Sequence, residues 1–182
     1  MACLACGAFG VGNLCAACHA TLSPAAERRV GDVTVRPAFH HAGAARLLVH
    51  RLKYSAIAAA AAPLADAMAA LLVSDCTALV PVPRVTARRW SYGVDPAWEL
   101  ARRVGRIAGV PVVGALGAAV WVRRRAGAAG KRRGSPTFSR VAVVPAGAVL
   151  VDDVVTSGIT LSRAGEASGL TRAITATAGL RP

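Results

Sequence analysis

The chain has 182 residues, 54% hydrophobic and 17% charged, which excludes a disordered chain. The length predicts one domain with a small appendage, burying roughly 70% of the surface its unfolded form exposes. Its 22 basic residues outnumber 9 acidic ones for a formal charge of +13, so its surface favours anions such as nucleic acid, phosphate esters or acidic partners.

Residues 1–22 carry Cys3, Cys6, Cys15 and Cys18 as two Cys-x2-Cys pairs eight residues apart. One such pair would fit a disulfide or a redox motif equally well. Two in so short a span point to zinc, which wants four thiolates at about 2.3 Å in a closed, structural tetrahedron. Gly7, Gly10, Gly12 and Asn13 suit the turns of such a knuckle. His19 is expected at the surface, and Cys76 as a lone buried small residue. Thiolate ligands imply a reducing compartment, hence the cytoplasm. The N-terminus has no basic run of the kind a secretory signal carries. The apolar stretch Ile107 to Val122 is broken by Gly109, Pro111, Gly114 and Gly117, so no membrane span is expected.

Ser23 to Gly31 reads as a polar linker, and Val33 to Phe39 alternates as a strand does. Ala44 to Leu52 has helical spacing, with Leu47, Leu48 and Leu52 placed on one face. Ala56 to Leu72 is Ala-rich and predicts a second helix that Pro63 kinks or restarts. Ala78 to Pro83 is a buried strand ending abruptly at proline, and Arg84 to Gly93 is a basic loop. Asp95 and Pro96 supply an N-cap and a first helical position, and the helix runs from Ala97 to Ala108 before Gly109. Short strands follow at Val110 to Val113, Val141 to Val144 and Ala148 to Val151, with Arg123 to Pro136 a loop. A helix opens at Ile159, and Ala173 to Ala178 is the last strand. Strands alternating with helices predict an α/β fold with a mostly parallel central sheet.

Residues 148–160 carry the chemistry. An apolar strand ends on Asp152 and Asp153, where open α/β sheets bind ligands, and a turn leads into a helix N-terminus that favours anions. Thr156, Ser157 and Thr160 offer hydroxyl donors, and Gly158 lets the backbone approach closely. Adjacent acids at the end of such a strand are costly unless solvated or used. One loop thus combines acceptors for sugar hydroxyls with donors for a phosphate, the chemistry that holds a ribose phosphate.

The run from Val149 to Thr160 resembles the phosphoribosyl-pyrophosphate-binding signature of type I phosphoribosyltransferases. The whole chain resembles the ComF family of competence-associated, amidophosphoribosyltransferase-like proteins, through the double cysteine knuckle, Leu52-Lys53-Tyr54, Val80-Pro81-Val82-Pro83 with its following arginines and Gly93, and that signature. The resemblance implies a phosphoribosyltransferase-like domain over 30–182 behind the knuckle of 1–22. It implies that Asp152 and Asp153 bond the ribose hydroxyls, with Mg²⁺ bridging those hydroxyls and the pyrophosphate. Thr156, Ser157, Gly158 and Thr160 would take the 5′-phosphate. Pro83 and Arg84 would face the pyrophosphate, with Arg88 and Arg89 as further candidates. Arg123 to Arg133 would be a closing loop, and Lys53 and Tyr54 would lie near the ligand. The run Tyr92-Gly93-Val94-Asp95 departs from the family's Gly-Phe-Asn-Gln-like pattern, and Gly134-Ser135-Pro136 stands where an Asn is expected.

The implied activity is transfer of phosphoribose to a nitrogen nucleophile with release of pyrophosphate. A second reading from another class is an accessory protein of DNA uptake that binds nucleic acid or a competence-machinery protein, and a third is a ligand sensor without turnover. The basic clusters at 88–89, 102–103, 123–125 and 131–133 suit nucleic acid, although each also reads as a solvated face. Three Trp, three Phe and two Tyr are too few for a stacking platform. His40 and His41 have no acid at ligand spacing and carry no assignment.

Overall fold

The computed structural model describes residues 1–9, 12–55, 57–84, 95–118 and 136–179. The strands among these residues are β1 (Arg28–Val30), β2 (Val33–His40), β3 (Leu79–Pro81), β4 (Leu116–Ala118), β5 (Phe138–Arg140), β6 (Val149–Val155) and β7 (Arg172–Ala178). The helices among these residues are α1 (Ala16–Ala20), α2 (Gly43–Tyr54), α3 (Ala61–Ala69), α4 (Pro96–Ala108) and α5 (Ile159–Ser168), with a 3-10 turn at Ala58–Ala60 before α3. Among these helices none is long and apolar enough to cross a membrane.

The main sheet has the order β1-β2-β7-β6-β3. β2, β7, β6 and β3 are mutually parallel, and β1 is antiparallel to β2. β4 and β5 form a separate antiparallel ribbon. The fold is therefore α/β with a mostly parallel sheet.

Each face has its own core. On one face Leu48, Val49 and Leu52 of α2, Leu64 and Met68 of α3, and Leu100 and Val104 of α4 pack with Leu79, Val149, Val151 and Ile174. On the other, Leu161 and Ala164 of α5 pack with Val33, Val35, Val80, Val82 and Leu150. Burying each large side chain contributes about 1.5–3 kcal/mol. The even and odd residues at Val80 and Leu79, or Leu150 and Val151, divide between the faces as a period of two requires. Buried strands with no polar face read as continuous apolar runs, which is why β6 is legible as Val149-Leu150-Val151.

The start and stop of α4 follow the expected chemistry. Asp95 Oδ1 accepts the Trp98 N–H at 3.5 Å, Pro96 fills the first helical position, and Gly109 closes the helix at φ 70°. Pro63 falls in the first turn of α3, after the 3-10 turn, so it restarts a helix instead of kinking one.

Four expectations change. The linker Ser23 to Gly31 contains β1, because Arg28, Arg29 and Val30 pair with Val35, Thr34 and Val33. Val141 to Val144 is not a strand: the ribbon strand is Phe138–Arg140, and Val141 and Val143 are exposed. Val110 to Val113 reduces to one parallel bridge between Val112 and Leu79. Leu47 is exposed, since one residue along a helix rotates about 100° away from the Leu48 stripe. Alternation and apolar content alone cannot separate an exposed Val run from a buried one.

Candidate sugar-phosphate site

β3 and β6 are neighbours, yet the next described helix after each lies on a different face. α4 packs on the face shared with α2 and α3, and α5, into which β6 leads, packs on the other. A crevice opens at the carboxyl ends of two such strands, and open α/β sheets bind ligands there. Val82 and Pro83 continue β3 to this edge, and the Val82 N–H donates to Val151 O at 2.9 Å. The Arg84 N–H donates to Asp95 Oδ2 at 3.5 Å, and Arg84 Nη1 is buried with no hydrogen-bond partner among the described residues. A buried guanidinium nitrogen without an acceptor suits an incoming anion. Arg88, Arg89 and the proposed closing loop at 123–133 lie outside the described residues.

β6 extends through the acids to Val155, so Asp152 and Asp153 are strand residues and do not begin the loop. Pairing holds the strand there: Asp152 stands opposite Thr175 and Val155 opposite Ala178. The Asp153 N–H donates to Asp152 Oδ1 at 2.8 Å. Asp153 Oδ2 is 2.8 Å from Lys53 Nζ, a largely buried ion pair joining α2 to β6. The Thr177 hydroxyl donates to Asp153 O at 3.3 Å, and His41 Nδ1 lies 2.9 Å from Thr177 Oγ1. Burial, with the positive charges of Lys53 and Arg46, pushes His41 below the usual imidazole range against the pull of Asp153.

Asp152 behaves differently from its neighbour. Desolvation of its carboxyl and the adjacent negative charge of Asp153 hold it well above the usual carboxylate range. A folded-state pKa raised above the unfolded value means that the folded chain binds the extra proton. Stability is then lost as pH climbs from the unfolded carboxylate range up to the folded pKa. Asp152→Asn removes that cost and keeps an Oδ1 acceptor for Asp153. Thermal unfolding should rise by the equivalent of about 0.5–2 kcal/mol at pH 7 and by nothing near pH 3. A loss of stability at pH 7 would contradict the burial argument.

Past Val155, Thr156 and Ser157 are exposed, and Gly158 stands as the N-cap of α5 at φ 81° with no side-chain cap hydrogen bond. Thr160 lies in the first turn of the helix. The first N–H groups of a helix lack intrahelical partners, so this turn presents donors and a positive dipole end. A Cβ on Gly158 would meet Val30 Cγ1 at 2.3 Å and Val30 Cβ at 2.6 Å. Val30 of β1 therefore fixes the turn from below, a contact invisible while 23–31 reads as linker. Gly158→Ala should cost about 2–4 kcal/mol, from left-handed strain and overpacking, and displace the turn. Chemical denaturation checks it; a change under 1 kcal/mol would show that β1 yields freely.

The cysteines converge. The Sγ atoms of Cys3, Cys6, Cys15 and Cys18 lie within 4.8 Å of one another, with Cys6 and Cys15 at 3.8 Å. A tetrahedron of sulfurs about 2.3 Å from zinc has edges of about 3.8 Å, so the donor set fits that ion. No disulfide joins them. The Cys15 N–H donates to Cys3 Sγ and the Cys18 N–H to Cys15 Sγ, both at 3.4 Å. Backbone donors at Cys6 and Cys15 pull the Cys3 thiol down to about 5, while burial pushes Cys18 up to about 12. His19 is exposed, and Cys76 is partly buried with its thiol on Ala78 O at 3.5 Å.

The Lys53–Asp153 pair is not legible in the sequence, because nothing local in a helix end announces a partner 100 residues away. One signal was present: Lys53 is one of only two lysines among 22 basic residues. Compared with protein-family models and with curated proteins, the chain matches none, and the site stands on its own geometry.

Proposed function

We propose that this chain binds phosphoribosyl pyrophosphate and transfers its phosphoribosyl group to a nitrogen nucleophile, as a ComF-family protein of type I phosphoribosyltransferase fold acting in the cytoplasm. The observation that carries the reading is the parallel pairing of β3 with β6, which puts Asp152, Asp153 and the uncapped start of α5 at the same sheet edge as Arg84 just past β3. Asp152 and Asp153 accept hydrogen bonds from the ribose hydroxyls. The 5′-phosphate takes backbone N–H groups of the Thr156–Thr160 turn and the hydroxyls of Thr156, Ser157 and Thr160. Pro83 and Arg84 flank the pyrophosphate.

Asp153 Oδ2 is already taken by an ammonium at 2.8 Å, so the acid pair does not form a protein cage for a divalent ion. Mg²⁺ would enter with the substrate and would help neutralise the pyrophosphate charge. In the reaction the bond from the anomeric carbon to the pyrophosphate oxygen breaks as a carbon–nitrogen bond forms. Pyrophosphate leaves with the electron pair, and the nitrogen gives up its proton to solvent. Arg84 meets the negative charge that grows on the leaving group.

The test is calorimetric titration with phosphoribosyl pyrophosphate and Mg²⁺, expected to give one site per chain. Absence of binding would remove the reading. The formal charge of +13 favours a second one, in which the fold serves DNA uptake as a nucleic-acid-binding accessory. That role would survive loss of both acids, and its affinity would fall steeply with salt.

A further inference from the structure

Lys53 is the one cation in direct contact with the acid pair among the described residues. It sits near the end of α2, and what fixes α2 lies at its other end. The Thr21 side chain accepts the Ala44 N–H at 2.9 Å, satisfying a donor in the first turn of the helix, and its own hydroxyl donates to Cys18 O at 2.8 Å. Cys18 belongs to the cysteine cluster, and Cys3, Ala5 and Cys18 share one core with Leu48, Val49 and Leu52 of α2. An unbroken path of contacts therefore runs from the knuckle through Thr21 and α2 to Lys53 and Asp153.

We infer that Lys53 is a positioning residue for the ribose-binding acids, and that the knuckle sets its place by capping α2 through Thr21. The ammonium neutralises one of two adjacent carboxylates and fixes Asp153 by one oxygen, leaving the other for a sugar hydroxyl. The adjacent like charge already favours a proton on Asp152; without the ammonium the pair would hold that proton more firmly, and a protonated acid is a poorer acceptor for a hydroxyl. Chain composition points the same way, since an arginine-biased sequence keeps lysine, a compact point charge, at this position.

This inference rests on the sugar-phosphate reading, and two probes separate their failures. Ribose 5-phosphate engages both the acids and the α5 turn; inorganic phosphate engages the turn alone. In Lys53→Met the affinity for ribose 5-phosphate should fall about ten- to a hundredfold while inorganic phosphate binds as in wild type. Lys53→Arg, which keeps the charge, should restore most of the loss. A second variant tests the path without touching the site. Thr21→Val should retain its zinc by metal analysis and its phosphate affinity, yet lose affinity for ribose 5-phosphate severalfold. It should add nothing in a Lys53→Met background. Equal loss of both ligands in Lys53→Met would mean general disorder of the site and overturn the positioning role. Unchanged ribose 5-phosphate binding would overturn it as well, and additive effects of Thr21→Val and Lys53→Met would overturn the coupling. If wild type binds inorganic phosphate and not ribose 5-phosphate, the sugar-phosphate reading fails, and this inference with it.

Discussion

The double variant Asp152→Asn, Asp153→Asn should lose phosphoribosyl-pyrophosphate binding by a factor of a hundred or more in calorimetry, while the protein stays folded. Charged acceptors make hydrogen bonds of about 1.5–3 kcal/mol each, and two are removed. The stability terms oppose one another. Asn at 152 relieves a carboxyl held out of water beside a like charge. Asn at 153 leaves Lys53, whose side chain is only 22% exposed, without its counter-charge. Circular dichroism should therefore report an intact fold. Inorganic phosphate, which needs only the Thr156–Thr160 turn, should bind the double variant as it binds wild type. Retained binding of the whole ligand would mean that the acids face something other than a ribose.

The second large effect concerns the cysteines. Protein purified without chelator should carry about one zinc per chain. Its removal, or Cys18→Ser, should lower stability by about 3–5 kcal/mol, equivalent to about 10 °C in Tm. The reason is that the knuckle is not a detachable tag. Cys3 and Cys18 are buried in the same core as α2 and α3, and four sulfurs within 4.8 Å cannot all be anionic without a cation among them. Metal uptake must strip the proton from Cys18, held up at about 12, so zinc affinity should fall as pH falls, and loading should release protons. A metal-free protein with unchanged Tm would show that the cluster does not hold a structural ion, and intact disulfides would reopen the choice of compartment.

What was legible in the sequence divides along physical lines. Local chemistry read well: Asp95 and Pro96 start α4, Gly109 ends it, and paired cysteines gather as their spacing demands. The apolar run Val149-Leu150-Val151 of β6 also read well, where two-sided burial leaves no other use for it. Long-range contacts did not. The salt bridge from Lys53 to Asp153, the support of Gly158 by Val30, and the pairing of Arg28–Val30 with β2 all join residues whose partners are set by topology. The strand boundary at Val151 was placed too early for the same reason. Charged residues usually end a buried strand, and these stay because Thr175 and Thr177 of β7 pair with the backbone beside them.

The central claim is that a sugar phosphate sits at the carboxyl end of β6, and amide chemical-shift mapping with ribose 5-phosphate locates it residue by residue. The amides of Thr156 to Thr160 should shift first and most, followed by those of Asp152 and Asp153. Shifts confined to the opposite end of the sheet, where Arg140 and Arg172 line a hollow of about 270 Å³, would place the phosphate elsewhere and contradict the account.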